Sequence, residues 1–437
     1  MSPSDPRDVL ASNAMGRAQV VVVAITVALC ALDGFDVLAI SFASPGIARE
    51  WGIDRGALGI VLSMELVGMV IGSVLVGGLA DRVGRRRTVL GCLAVMVAGM
   101  ALVTQADNLL MLSVWRVVTG VGIGGMIPAL NAIATEFSND RRRDLSVSLM
   151  SIGYPLGALT GGSIAALLLR HSDWRSVFVF GAAATAALVP IVWLWVPESV
   201  AWLVHRPDEG ALQRVNQTLA RLGYAPVGVL PEVPPDRRAP LAAIFERDTR
   251  AATLLYTLAY FLHIMTFYFL VKWVPKIVVD LGFAPSAAAA VLVWANAGGV
   301  AGGTTLGLMS RRYPVKALTV LLMLSSSVML AVFGGGWANL TRLCVICAAT
   351  GFCTNGAVVG LFAILARAYP ASTRSTGTGF AVGIGRGGAV LSPVIAGLLF
   401  RAGHSLLQVA LVMAAGSLLA ALVLSQIRDR RPTPAMH

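Results

Sequence analysis

The sequence predicts an all-α membrane protein with twelve transmembrane helices in two six-helix bundles, and three observations support this prediction. Of the 437 residues, 57% are hydrophobic and 13% are charged, which is about half the charged share of a soluble domain. The mean hydropathy is +0.77. Twelve apolar runs follow one another, each of about the 20 residues that a spanning helix needs. A surface that faces lipid explains the missing charge, because charge is costly there.

The apolar runs set the predicted helices in order. The polar start of the chain is not followed by a small-residue cleavage site, so the first run is expected to be a retained helix and not a signal peptide. Glycine and proline within the runs are tolerated, because neighbouring helices satisfy the freed backbone groups. The predicted helices lie near residues 18–42, 56–79, 88–105, 109–135, 145–169, 174–196, 251–273, 285–309, 315–335, 339–366, 376–400 and 404–427.

One long polar stretch divides the chain into residues 1–196, 197–250 and 251–437. Within it, Pro226 to Pro240 is rich in proline and is expected to be a linker. Asp208 to Leu222 carries apolar residues at helical spacing, which predicts an amphipathic helix lying along the membrane surface. Two six-helix bundles joined by a linker are typical of transporters whose substrate site lies near the bilayer midplane.

The distribution of basic residues predicts the orientation. With the N-terminus inside, 24 of the 34 Lys and Arg residues fall in cytoplasmic segments and 8 in the opposite loops. This bias predicts a multi-pass protein of a bacterial inner membrane with both termini in the cytoplasm. The net charge of +12 is therefore assigned to loops and not to a nucleic-acid surface.

Other classes of protein find little support in the sequence. All five cysteines lie in apolar runs, and the CxxC pair Cys344 and Cys347 is interpreted as packing, with no metal and no disulfide. There is no HExxH, no GxSxG and no cluster of histidines, which argues against an enzyme. A sensor would be expected to carry a soluble signalling domain. No cofactor is expected beyond a coupling proton.

Charged and glycine-rich motifs connect the chain to a known superfamily. Residues 77–87 read GGLADRVGRRR, a tight turn whose charges can form ion pairs between helices, and residues 307–314 are a degraded copy. The turn resembles the GxxxDRxGRR signature of the major facilitator superfamily. The fourth helix, from Arg116 to Gly125, is similar to its RxxxGxGxG pattern, and the fifth carries a glycine face (Gly153, Gly157, Gly161, Gly162). Close helix packing is the main interpretation of these glycines, and contact with substrate is an alternative.

A narrower resemblance begins in the first helix. Asp33-Gly34-Phe35-Asp36 is similar to the DGxD motif of the aromatic acid:proton symporters, and residues 119–128, 197–199, 273–275 and 379–388 add to the match. The resemblance spans nearly the whole chain. It implies a major facilitator fold and uptake of 4-hydroxybenzoate, protocatechuate, benzoate or a related acid, with the proton as coupling ion.

Carboxylates inside a membrane helix suggest proton handling, because they are costly to insert there. Asp33 and Asp36 are three residues apart and therefore lie on nearly one helix face. We expect this pair to take up and release the coupling proton. The alternative is that Asp33 braces a helix break at Gly34.

Two intramembrane arginines suggest an anionic cargo, because a guanidinium binds a carboxylate through two parallel hydrogen bonds. Arg116 lies about 10 Å and Asp36 about 9 Å below the outer ends of their helices, so the sequence predicts an ion pair that an incoming carboxylate would compete for. A permanent structural pair is the alternative. Arg386 lies near the midplane among glycines and is predicted to bind the substrate carboxylate.

The remaining candidates form two groups, for which packing roles are the alternative. The predicted substrate residues, besides the arginines, are Tyr154, His263, Asn296 and Asn355, with Phe267 and Trp294 as apolar walls. The predicted inner gate consists of Asp81, Arg82, Gly84, Arg85 and Glu136. Glu65 and Lys272 depart from the family pattern and leave open a larger, chlorinated or ring-opened acid as substrate.

The predicted function is proton-coupled uptake of an aromatic carboxylate by alternating access, in a protein that acts as a monomer. A transporter of another organic anion and a drug:proton antiporter are the alternatives. Cation exporters rely on carboxylates alone, and the two arginines therefore favour an anion. A sugar symporter fits Pro197-Glu198-Ser199 but not the aspartate pair.

Overall fold

A computed structural model describes residues 5–205, 210–231, 241–246, 249–370 and 373–427, and in these ranges the chain forms helices and no strand. Twelve spans are long and apolar enough to cross a membrane, which confirms the predicted fold class. The helices are α1 (Pro6–Ser12), α2 (Arg17–Trp51), α3 (Arg55–Leu75), α4 (Gly77–Val83), α5 (Arg85–Val103), α6 (Leu109–Glu136), α7 (Arg143–His171), α8 (Arg175–Trp195), α9 (Val200–Val204), α10 (Ala211–Leu222), α11 (Arg250–Asp280), α12 (Pro285–Met309), α13 (Val315–Phe333), α14 (Leu340–Ala368), α15 (Arg374–Arg401) and α16 (Leu406–Gln426).

Polar residues fix several helix ends. Asp54 begins α3 by accepting a hydrogen bond from Ala57 N at 2.8 Å, and Asn108 begins α6 by accepting one from Met111 N at 2.9 Å. Gly52 ends α2 in the left-handed region with φ 59°. These caps satisfy backbone groups that the helix itself leaves open.

Two helices run further than predicted, through a proline in each case. The first spanning helix ends at Trp51 and not near residue 42, although Pro45 removes the amide that would bond Ser41 O. The Ser44 hydroxyl donates to that carbonyl at 2.9 Å and so replaces the missing bond. The helix α11 likewise continues through Pro275 to Asp280.

The chain divides into two compact units, Met1–Asp236 with Val274–Val293, and Arg237–Trp273 with Trp294–His437. The predicted boundaries at residues 196 and 250 remain a prediction. Parts of the predicted linker and amphipathic segment, residues 206–209, 232–240 and 247–248, lie outside the described residues.

The amphipathic segment forms α10, but its apolar side is covered by protein. Val215 and Leu219 are fully buried, and α10 packs against α9 and α2. Just beyond the helix, the Tyr224 hydroxyl donates to Gln19 Oε1 of α2 at 2.8 Å. The first unit itself therefore buries the apolar face of this helix, and the position of the helix along the membrane surface stays a prediction.

Glycines let the helices of the first unit approach closely. A Cβ at Gly68 on α3 would meet the carbonyl oxygen of Val117 on α6, and one at Gly120 on α6 would meet that of Glu65 on α3. The helices α2 and α7 pack in the same way, with Gly157 against Ala31 O. Backbone contact of this kind is how membrane helices associate without a hydrophobic driving force.

Candidate functional site

The centre of the first unit holds a cluster of four charged residues. Asp33 and Asp36 come from α2, Glu65 from α3 and Arg116 from α6, and all four side chains are fully buried. The contact between Gly120 and Glu65 O brings α3 and α6 together one helical turn from Arg116. The glycines that the sequence predicted for packing therefore also position the charges.

Arg116 forms its ion pair with Glu65 and not with Asp36, so the predicted Arg116–Asp36 pair is wrong. Its Nη2 lies 2.5 Å from Glu65 Oε2. The same nitrogen donates to the backbone carbonyl of Asp36 at 3.1 Å. The guanidinium carbon lies 5.3 Å from the centre of the Phe178 ring, and Nη1 lies 3.4 Å from Met100 Sδ. Neighbouring helices thus enclose the guanidinium, which leaves no face open to a substrate in this conformation.

The two aspartates are placed differently from Glu65. Neither carboxylate makes a hydrogen bond to any residue that the structure describes. Asp36 Oδ1 lies close to Gly181 on α8, where an added Cβ would be 3.3 Å away, so the glycine leaves room for the carboxylate. The interior of the first unit thus holds three carboxyl groups and one guanidinium, and a proton bound to a carboxylate reduces the negative charge that the helices bury.

In the second unit, His263 is held by hydrogen bonds on both ring nitrogens. Nδ1 lies 2.8 Å from Ser417 Oγ and Nε2 lies 2.9 Å from Thr354 O. A carbonyl only accepts, so we assign the proton to Nε2 and let Nδ1 accept from the serine. The imidazole joins α11, α14 and α16 and is fully buried. In this conformation its nitrogens are occupied by protein groups.

Arg386 differs from Arg116 in being half-buried on α15, without a hydrogen bond or ion pair to any described residue. Its neighbour Gly385 packs directly on the ring of Tyr260, where a Cβ would collide. The guanidinium of Arg386 is therefore partly accessible, and its binding of a substrate carboxylate stays a prediction.

The other predicted substrate residues are less open. Asn355 donates its amide to Gly299 O at 2.8 Å and thereby joins α14 to α12. Tyr154 and Asn296 are half-buried and engaged in interactions within the protein. Lys272 is fully buried on α11 and is likewise engaged.

A second polar cluster surrounds the start of α5. Arg85 Nη1 lies 3.0 Å from Asp81 Oδ1, and Arg85 Nη2 lies 3.3 Å from Glu136 Oε1. The Ser199 hydroxyl donates to Glu136 Oε2. Of the predicted gate residues, Arg82 does not take part, because it is exposed and no hydrogen bond or ion pair joins it to a described residue.

Glu198 completes this cluster and was not predicted to do so. Its Oε1 accepts the backbone N–H groups of Arg85 at 2.7 Å and Arg86 at 3.1 Å, and so caps α5. Gly84 precedes them with φ 113°, and a Cβ there would collide with the Glu198 carboxylate. The sequence does contain a signal for this contact. Glu198 and Ser199 directly follow a spanning helix, and α5 begins with three arginines, so that an acid is favoured at its N-terminus.

Comparisons with known proteins agree with the fold and the motifs. The family model for the Major Facilitator Superfamily matches residues 25–313 and 256–436. The gallate transporter of Pseudomonas putida is 30% identical over 93% of this chain and 91% of that protein. The 4-hydroxybenzoate transporter PcaK of the same species is 33% identical over 89% and 87%.

The fold is also shared with a solved structure, the xylose transporter XylE from E. coli in a partially occluded inward-open conformation. That likeness has a TM-score of 0.72 at 14% identity and covers 94% of this chain and 98% of the other. The matched proteins are transporters and not enzymes, as the sequence predicted. The chain belongs to the major facilitator superfamily and, within it, to the family of the gallate and 4-hydroxybenzoate transporters.

Proposed function

We propose that this protein takes up an aromatic carboxylate together with protons by alternating access. It would act as a monomer in a bacterial cytoplasmic membrane, with both termini inside. The relatives named for gallate and 4-hydroxybenzoate support the substrate class. The observation that carries the coupling is the pair Asp33 and Asp36, buried without hydrogen-bond partners beside a Glu65–Arg116 ion pair.

The aspartates act as the proton site in this proposal. While they face one side of the membrane they bind a proton, which reduces the charge that the closed helices must bury. On the other side the proton leaves. Glu65 keeps Arg116 compensated throughout, because a buried arginine without a partner would cost several kcal/mol.

Arg386 binds the cargo in this proposal. Its guanidinium can hold a carboxylate by two parallel hydrogen bonds, and the Tyr260 ring packs on its neighbour Gly385. A carboxylate and one proton together are neutral, so moving both lowers the cost of crossing a low-dielectric interior. This electrostatic balance favours symport over exchange of the anion for a proton.

Uptake of radiolabelled 4-hydroxybenzoate into proteoliposomes, with and without an inward proton gradient, tests the proposal. We expect accumulation only with the gradient, competition by gallate and none by benzyl alcohol, which lacks the carboxylate. The Arg386→Gln variant should raise KM by about tenfold or more, the value of a lost charge-assisted pair. Equilibration without a gradient would indicate a facilitator, and no uptake of any aromatic acid would indicate another organic anion.

A further inference from the structure

A cavity of about 300 Å³ lies in the first unit, next to the polar cluster of Arg85 and Glu198. Its described lining residues do not include Asp36 or the charged residues around it. It is lined by the start of α5, the segment after α8 and one side of α10. Four arginines line it, together with Glu198 and the neutral donors Gln217 and Thr218. The arginines are Arg86, Arg87, Arg214 and Arg221.

Two of the four arginines in the cavity wall have no partner among the described residues. Glu198 is the one acid among the described lining residues, and its carboxylate is already bonded to the N–H groups of Arg85 and Arg86. Arg87 and Arg221 make no hydrogen bond or ion pair with any residue that the structure describes, and Arg86 Nε is buried without a partner there. Arg87 and Arg221 therefore place two unpaired positive charges at the wall of one space, and an anion bound there would reduce their mutual repulsion.

The helix geometry adds to the demand for an anion. The first turn of α5 carries three arginines and no acid, which is the wrong charge for a helix N-terminus. On α10, Arg214, Thr218 and Arg221 are spaced so that they share the side of the helix that borders the cavity. The adjacent, apolar side is buried in the protein, so the basic side is held in place.

We infer that this cavity binds a phosphate group, carried either by an anionic phospholipid headgroup or by a soluble phosphate. Arginine forks match phosphate oxygens through two parallel hydrogen bonds, and the volume is at the lower end of small-ligand sites. The cavity lies on the face that we propose to be cytoplasmic.

Calorimetric titration of the purified full chain in a maltoside detergent tests this inference, with inorganic phosphate and with dihexanoyl phosphatidylglycerol as probes at constant ionic strength. The double variant Arg87→Gln/Arg221→Gln should bind about tenfold or more weakly. The control Arg311→Gln/Arg312→Gln removes the same charge from exposed residues outside the cavity and should bind like wild type. An unfolding midpoint unchanged in the absence of ligand checks that the variants are folded. If the double variant is not folded, the single variant Arg221→Gln, on the exposed side of α10, replaces it.

Each outcome decides the inference. Binding of phosphate and lipid alike, lost in the cavity variant, supports the site and identifies a soluble phosphate as sufficient. Binding of the lipid alone, lost in the same variant, supports the site and identifies a headgroup. Binding of neither probe, or equal loss in the cavity and control variants, overturns it. Substrate uptake does not enter this readout, so the result is independent of the proposed transport function.

Discussion

The two halves of this transporter share one helix-packing pattern but place different chemistry on it. In the first half Gly68 meets Val117 O and Gly120 meets Glu65 O; in the second half Gly298 meets Ala348 O and Gly351 meets Ala295 O. Matching these contacts puts Ala295 at the position of Glu65 and Cys347 at that of Arg116. The buried ion pair of the first half is thus replaced by two small neutral residues.

A matching contact also relates α2, which carries both aspartates, to α11 of the second half. Gly157 meets Ala31 O, and Gly388 meets Phe261 O. His263 then corresponds to Asp33, and Thr266 to Asp36. His263 is bonded on both nitrogens, and Thr266 donates to Met413 O at 2.7 Å.

The difference teaches where the coupling chemistry can reside. At these matched positions the second half satisfies its polar groups with neutral partners. The first half buries three carboxyl groups and one guanidinium, and such groups are costly inside a membrane and indicate a candidate functional site. Changes at matched positions should therefore have unequal effects.

The largest difference in stability between variants at matched positions is expected at the Glu65–Arg116 ion pair. Arg116→Gln leaves Glu65 buried without its compensating charge and should lower the free energy of unfolding by about 3–5 kcal/mol, whereas Cys347→Ser should cost about 1 kcal/mol. Thermal unfolding in detergent measures both. The double variant Glu65→Gln/Arg116→Gln should recover part of the loss, and additive losses would contradict a direct pair.

The packing glycines should show equal costs in stability and unequal costs in transport. Gly120→Ala and Gly351→Ala each push a Cβ into a backbone carbonyl and should cost about 1–3 kcal/mol. Only Gly120→Ala displaces Glu65, the ion-pair partner of Arg116. It should therefore reduce the initial rate of uptake more than Gly351→Ala does. Equal rates of uptake by these two variants, at equal loss of stability, would mean that the Glu65–Arg116 pair does not depend on the contact between Gly120 and Glu65 O.

His263 should prove to be structural. His263→Leu removes the imidazole that bonds Thr354 O and Ser417 Oγ and should cost about 1–3 kcal/mol, while the pH profile of uptake by the folded protein keeps its shape. Asp33→Asn at the matched position should change that shape. A pH profile that shifts with His263→Leu would move proton handling into the second half.

The smallest effect is expected at the cap of α5. Glu198→Gln keeps the shape of the residue but removes the negative charge at a helix N-terminus, worth about 0.3–1 kcal/mol. The degraded turn at residues 307–314 in the other half has no acid, so neutralising Arg311 there should leave the unfolding midpoint unchanged. Equal shifts for Glu198→Gln and Arg311→Gln would remove the special role of the cap.

The sequence predicted the twelve spans because apolar length alone determines them. It failed at Pro45, where a serine replaces the lost backbone bond, a local compensation that hydropathy does not report. It also assigned Arg116 to Asp36, since depth along a helix says nothing about which face a residue occupies. The patterns Gly68-x3-Gly72 and Gly120-x3-Gly124 indicate close packing of α3 on α6. Glu65 and Arg116 each lie one turn before such a pattern, which could have predicted the pair.

The central claim is that the unpaired aspartates of the first half couple proton movement to uptake, and the most direct test separates exchange from accumulation. In proteoliposomes, Asp36→Asn should still exchange internal for external labelled 4-hydroxybenzoate but should lose gradient-driven accumulation. Thr266→Val, at the matched position of the second half, should retain both. Accumulation by Asp36→Asn, or its equal loss in Thr266→Val, would contradict the account.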